Sequence, residues 1–461
     1  MLSIYAQHGR VSRREVLRVG TAALGGLSLP MLLAARSVGS PKLVKDRSVV
    51  VLNLQGGPTQ FETFDPNMQA PAEIRSITGE IATSLPGVTF GGSLPQLATL
   101  ADRMTVIRSY RHGISSHGPA AKHVMAGGNP TGAMMGTLFS RLAGLTNSET
   151  GVPNNVLVTS RAMGDRYKEL YYNAERVSQT GSLPAAYRSF DPSAGSELVQ
   201  NMRLRLDVDR LDERRGLLGQ LDGIGRRLDH AGLDTADRFH QQAFDVLVRG
   251  VADAFDLQQE SPRTLERYAT DHLEPTAAAK KRNAYAKQFS PVALGKQMLL
   301  ARRLCEAGCG FVTVTCPGWD MHGGGKEFTM ADGLQSLTPA VDKAVSAFIE
   351  DVDARGLTDQ ILLVITGEFG RTPRINKNGG RDHWGNLCTL AFVGGGLNMG
   401  QVIGQSDRTG SQPASDPISS SDVLATVMHA LFDIGQVRLM TEIPNEVMQV
   451  ITTGQPIHGL A

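Results

Sequence analysis

The stretch Ser48-Val-Val-Val-Leu-Asn-Leu54, running directly into Gln55-Gly56-Gly57-Pro58-Thr59-Gln60, decides the fold. Five aliphatic side chains in seven positions, without polar alternation, read as a strand buried on both faces, as strands of a parallel sheet are. The Gly-rich turn ends that strand and opens a polar loop. Outward from it, similar runs recur at Met104-Thr-Val-Ile-Arg108, Phe311-Val-Thr-Val-Thr315, Ile361-Leu-Leu-Val-Ile-Thr366 and Leu387-Cys-Thr-Leu-Ala-Phe-Val393. Between them lie helical periods: residues 339–354, with Val341, Val345, Phe348 and Val352 on one face, and residues 421–432. Alternating strands and helices predict an α/β fold of three layers, a mainly parallel sheet with helices on both faces. Residues 196–306 change character, with charged and apolar residues at helical period and few Gly or Pro, and are expected to form a helical insertion or cap. The arginines there, Arg214, Arg215, Arg226 and Arg227, read as a solvated face.

At 461 residues with 41% hydrophobic side chains, the chain is long and apolar enough to bury a sizeable core. Its 46 Lys and Arg nearly cancel 45 Asp and Glu, so no global field draws in nucleic acid, and a small ligand is the expected partner. Cys305, Cys309, Cys316 and Cys388 form no CxxC pair, which argues against a zinc knuckle. Cys305 and Cys309 read either as an exported disulfide or as two buried thiols, the second being favoured by the strong burial of cysteine.

Ser12-Arg13-Arg14-Glu15-Val16-Leu17-Arg18 precedes an apolar run from Val19 to Leu33. That run is about fifteen residues long, short of the roughly 20 that span a bilayer, so it is read as an export signal and not an anchor. The paired arginines resemble a twin-arginine signal over residues 1–39. Export by the twin-arginine translocase, a periplasmic or cell-surface location and no stable membrane span after processing are the expectations.

The polar residues concentrate in five loops. They are Gln55 to Gln60 with Glu62 and Asp65; His112-Gly-Ile-Ser-Ser-His117-Gly-Pro-Ala-Ala-Lys122-His123; Gly318-Trp-Asp320-Met-His322-Gly-Gly-Gly325; Gly367-Glu368-Phe-Gly370-Arg371-Thr-Pro-Arg374; and Gly380-Arg381-Asp382-His383-Trp384-Gly385. Imidazoles and carboxylates bracketed by glycine at the carboxyl ends of strands suit a metal site. A purely structural hydrogen-bond cluster of Asp320, His322 and His383 remains the blander reading.

The motifs Leu-Asn-Leu-Gln-Gly-Gly-Pro-Thr-Gln, Trp-Asp-Met-His-Gly-Gly and Gly-Glu-Phe-Gly-Arg-Thr-Pro together resemble the bacterial domain-of-unknown-function 1501 family, a branch of the alkaline phosphatase and sulfatase superfamily. The resemblance implies a first metal site of Asp320, His322 and His383, with Glu368 and His117 completing the centre. It also implies a second site that has lost ligands, since Gln55 replaces an Asp and Glu368-Phe369 replaces an Asp-His pair. His117 stands at the nucleophile position with Ser116 beside it, so His117, Ser116 and Glu368 are the catalytic candidates. Arg371, Arg374, Lys122 and Lys326 are the candidates for holding an anion. The expected activity is an exported, metal-dependent hydrolase of a phosphate or sulfate ester, with one divalent ion such as zinc per chain. The alternative is a non-catalytic binding or structural protein on the same fold.

Overall fold

The computed structural model describes residues 5–6, 9–10, 43–169, 171–193, 251–282, 288–324 and 327–460. Within residues 1–43, Tyr5–Ala6 and Gly9–Arg10 form a short antiparallel ladder. The remainder of the segment read as an export signal, Arg13 and Arg14 included, lies outside the described residues, as do Lys326 and the arginines at 214, 215, 226 and 227.

The unit from Val44 to Ala461 is built on a seven-stranded sheet. Its strands in chain order are β1 (Ser48–Leu54), β2 (Met104–Ile107), β3 (Asn155–Val158), β4 (Phe311–Thr315), β5 (Ile361–Gly367), β6 (Leu390–Gly394) and β7 (Gln401–Ile403). Across the sheet they run β7-β2-β6-β5-β1-β4-β3. Every pairing is parallel except those of β6, which runs antiparallel to both β5 and β2. β1 lies between β4 and β5, in register from Val49 opposite Phe311 and Leu362. Its central place explains its aliphatic run: Val49, Val50, Val51 and Leu52 are fully buried, each such side chain contributing on the order of 1.5–3 kcal/mol.

Five helices matter for the layers: α1 (His117–Ala126), α2 (Met135–Ala143), α3 (Leu294–Glu306), α4 (Met330–Ala354) and α5 (Ser420–Leu431). Val50, Leu52, Val312 and Val314 join Leu299, Leu304, Leu337 and Val345 of α3 and α4 in one core cluster. Phe311, one position out of phase, turns to the other face and meets Gly136 of α2, where a side chain would collide with its ring at 2.7 Å. A helical layer therefore covers each face of the sheet, as the strand and helix alternation predicts.

The helix expected at 339–354 starts nine residues earlier. Thr329 caps it by accepting from the Asp332 amide at 3.1 Å, and Pro339 lies inside it. Proline reads as a helix start because it tolerates the first turn best, but here tertiary packing carries the helix through it. Within residues 196–306, 196–250 and 283–287 lie outside the described residues, and helices are the regular structure of the described part. Its last helix, α3, is a layer helix of the sheet. Buried Arg302 on α3 pairs with Asp351 of α4 and with Glu260, each at 2.9 Å, tying residues 251–267 to that layer. All four cysteines are buried free thiols.

Candidate metal centre

Because β1, β2, β4 and β5 are parallel, the loops that follow them leave the sheet at one edge. β6 runs the other way, so the fifth loop, which feeds its start, arrives at that same edge. The topology thus gathers residues from sequence positions 55 to 385.

At that edge Asp320 is the hub. Its Oδ1 lies 2.9 Å from His322 Nε2 and 3.1 Å from His383 Nε2, and its Oδ2 lies 3.2 Å from His117 Nε2. Each ring also has its other nitrogen at an acceptor. His117 Nδ1 meets the buried carboxylate of Glu368, His322 Nδ1 lies 3.0 Å from Asp382 Oδ1, and His383 Nδ1 lies 3.1 Å from the Ser115 carbonyl. The four side chains of the cluster are each about a quarter exposed, so the centre is open to solvent.

Charge follows this geometry. Burial works against the Asp320 carboxylate, but hydrogen bonds from three imidazoles and the Arg371 guanidinium hold it far below the usual carboxylate range. Burial also disfavours the His117 imidazolium, yet bonds to Asp320 and Glu368 raise it to about 9. The Asp320 bond raises His322 against its burial, whereas burial, with the nearby Arg371 and His117 charges, lowers His383. The Nε2 atoms of His322 and His383 approach to 2.8 Å. Two ring nitrogens at that distance must share a proton or a cation, because two lone pairs would repel. His117, Asp320 and His383 could hold a metal ion, their ligand atoms all lying within 4.8 Å of one another. Two imidazoles and a carboxylate are donors that borderline transition ions take.

Glycine lets the backbones close around this hub. A side chain at Gly380 would fall 1.9 Å from the His322 carbonyl carbon, and one at Gly385 would fall 2.4 Å from the Ile114 amide. The Gly385 amide also donates to Ser115 Oγ at 2.9 Å, and its carbonyl accepts from the amides of His112 and Gly113. The fifth loop is therefore wedged between the second and the third, with His383 at its centre.

Asp320, His322, His383, His117 and Glu368 come together as expected, but several roles differ from those read in the sequence. Glu368, 2% exposed, stands behind His117 on its Nδ1 and not at the hub. Arg371 is not an anion clamp. Fully buried, it donates to the carbonyls of Gly56, Gly57, Trp319 and Arg381 and, at 2.8 Å, to Asp320 Oδ1, which leaves its fork committed to holding three loops. Arg374 is exposed, with Glu73 at 3.9 Å, and Lys122 points outward from α1. Ser116 is the exposed N-cap of α1, and among the described residues its hydroxyl meets no base. Gln55 is buried at the end of β1, and Phe369 is a fully buried ring packed against His117 and His383.

Asp382, the Ser115 carbonyl and His112 have no role in the sequence reading, which weighs Ser115 only, beside Ser116, as an activated hydroxyl. His112 Nε2 donates to the Glu368 carbonyl at 2.9 Å, and burial lowers its pKa to about 4, which keeps it neutral. Asp382 was visible only as the neighbour of His383. A carboxylate behind a candidate ligand is the signal that marks it.

The family model described as protein of unknown function (DUF1501) matches residues 46–460, and the chain belongs to that family. No curated protein matches. Among solved structures, a sulfatase from Pseudoalteromonas sp. is similar at 13% identity and a TM-score of 0.34, over 97% of this chain and 78% of that one. The phosphonate monoester hydrolase of Agrobacterium radiobacter follows at 10% and 0.37, over 89% and 78%. The lipoteichoic acid synthase of Listeria monocytogenes gives 8% and 0.32, over 93% and 80%. Likenesses this distant assign no activity and no substrate to the chain.

Proposed function

We propose that this member of the DUF1501 family is an exported hydrolase of an anionic ester, working with a single divalent ion held at Asp320, His117, His322 and His383. One observation carries the reading: three imidazoles direct Nε2 at one carboxylate while each Nδ1 is tied outward, to Glu368, Asp382 and the Ser115 carbonyl. With an ion in place of the Nε2 protons, that outer tie would keep the remaining proton on Nδ1 and turn the Nε2 lone pairs inward, as ligating histidines need.

A divalent ion held there would supply Lewis acidity, polarising an ester oxygen and lowering the pKa of a bound water. The chain's own residues do the rest. Arg371 fixes Asp320 and offsets its charge, Glu368 and Asp382 orient the rings, and the partial exposure of the cluster admits the substrate. Among the described anion candidates Arg371 is spent internally and Arg374 and Lys122 are exposed, so a bound ion would supply positive charge for an anionic group at the hub. Among the described residues no helix is long and apolar enough to cross a membrane.

A specific observation favours the second reading, a non-catalytic binding protein. Arg371, one of the expected anion-binding residues, is committed to backbone carbonyls, and among the described residues Ser116 meets no base. The test is hydrolysis of aryl phosphate and aryl sulfate esters by the full chain, with and without chelator. Turnover abolished by chelator and restored by the ion supports the hydrolase. Its absence in both ester classes, with the ion bound, gives the protein to the binding reading.

A further inference from the structure

Glu62, in the loop after β1, and Arg381, in the fifth loop, are both fully buried and form an ion pair at 3.6 Å. The carboxylate also accepts from the Ile77 amide and from Thr78 Oγ1, each at 3.0 Å, and from Ser76 Oγ. The guanidinium donates to the carbonyls of Ile74 at 2.8 Å, Arg75 at 3.1 Å, Thr372 at 3.3 Å and Pro373, and stands 4.4 Å from the centroid of the Phe61 ring. The backbone of Arg381 is held as well. Its amide donates to the Met321 carbonyl at 2.9 Å, and its carbonyl accepts from the Arg371 side chain at 3.0 Å. One residue thus ties the fifth loop to the first loop, to residues 74–78, to the turn at 372–373 and to the loop that carries Asp320 and His322.

The next residue is Asp382, whose carboxylate lies 3.0 Å from His322 Nδ1. That side chain is 59% exposed, so no surrounding core fixes it. Apart from a bond from Asn376 Nδ2 at 3.2 Å, its place is set by the backbone: the Asp382 amide donates to Thr372 Oγ1 at 3.0 Å, and its carbonyl accepts from the Thr372 amide at 2.9 Å. Arg381 grips both sides of this contact, since it precedes Asp382 and its fork holds the Thr372 carbonyl. Such a guanidinium can stay buried because Glu62 offsets its charge. We infer that Arg381 and Glu62 are positioning residues of the centre: the buried pair fixes the backbone from which the exposed Asp382 carboxylate reaches His322 and so aims His322 Nε2 at Asp320. His383 has holds of its own in the Ser115 carbonyl and the Gly385 wedge, so the pair acts through Asp382. The inference rests on the ion-binding reading above and concerns how His322 is held for the ion.

The experiment is a double-mutant cycle on zinc(II) affinity, read by calorimetry on metal-stripped full-length protein. It compares the wild type with Arg381→Lys, Asp382→Ala and the two combined. Lysine keeps the charge but lacks the fork that spans the carbonyls. Arg381→Lys should weaken zinc binding roughly 10-fold, the low end for loss of an orienting group, and Asp382→Ala by 10-fold or more. The combined variant should bind within about threefold of Asp382→Ala alone, because a residue that acts through Asp382 has nothing left to orient once that carboxylate is gone. A merely structural pair would lower Tm and leave the affinity of the folded protein unchanged. Should circular dichroism show Arg381→Lys unfolded, the same cycle is run with Glu62→Gln, which keeps the arginine and the shape of its partner. A folded Arg381→Lys with wild-type affinity overturns the inference, as does a loss that multiplies in full with that of Asp382→Ala. A wild type that takes no zinc removes the ion-binding reading itself and this inference with it.

Discussion

His117 and Glu368, 251 positions apart in the chain, meet through Nδ1 and a carboxylate oxygen, and that contact aims His117 Nε2 at Asp320. The imidazole comes from the first turn of α1 and the carboxylate from the end of β5, so only the folded sheet edge brings them together. Removing the carboxylate while keeping the shape isolates its orienting role. Glu368→Gln should weaken ion affinity roughly 10- to 100-fold, the usual cost of losing such an outer partner. Isothermal titration of metal-stripped protein measures it, and an unchanged affinity would show that Glu368 does not orient His117.

Gly385 should tolerate no side chain. A Cβ there lies 2.4 and 2.5 Å from backbone atoms of Ile114, which cannot swing aside as a flexible side chain would. Gly385→Ala should push the second and fifth loops apart, destabilise the fold by about 1–3 kcal/mol and weaken ion binding along with it. Chemical denaturation read beside a metal titration checks both, and a variant equal to wild type in the two would refute the wedge.

Away from the centre, Glu169 is a buried acid between Thr315 Oγ1 and the Ser160 amide, each at 2.7 Å. Burial raises its pKa from 4.5 to about 7. The folded state therefore prefers the protonated acid. The stability this supplies is whole below pH 4.5, falls as pH rises toward 7 and is gone above that, a change of roughly 3 kcal/mol over the window. The stability difference between wild type and Glu169→Gln should follow that decline between those pH values. A difference that stays flat with pH would contradict it.

Export is tested at the arginine pair. Replacing Arg13 and Arg14 with Lys should leave the precursor in the cytoplasm, since the pair is what sets this signal apart from a general secretory one. Fractionation followed by immunoblotting reads the outcome, and normal export of the double variant would refute the twin-arginine assignment.

The legible parts of the fold were those where burial on two sides leaves its mark in composition. β1, β4 and β5 are aliphatic runs because each lies inside the sheet under helices. β7, three residues at the sheet edge, carries too few apolar positions to announce itself, and the direction of β6 leaves no trace in its side chains. In the centre, Asp320, His322 and His383 were readable because ligating residue types bracketed by glycine are few. The task of Arg371 was not, because an arginine in a polar loop looks the same whether it faces a substrate or is spent on four carbonyls. Asp382 and Ser115 were hidden for a related reason: an orienting partner is defined by geometry across loops and has no spacing of its own.

The most direct test of the centre is the number of zinc equivalents bound by the full chain, wild type against His383→Ala. The chain's two tryptophans, Trp319 and Trp384, are sequence neighbours of Asp320 and His383, so their fluorescence gives a second readout of the same event. We predict near one equivalent for the wild type with a change in tryptophan emission, and a loss of at least about 100-fold in affinity for His383→Ala. A wild type that binds no ion, or one ion whose affinity His383→Ala leaves unchanged, would contradict the account.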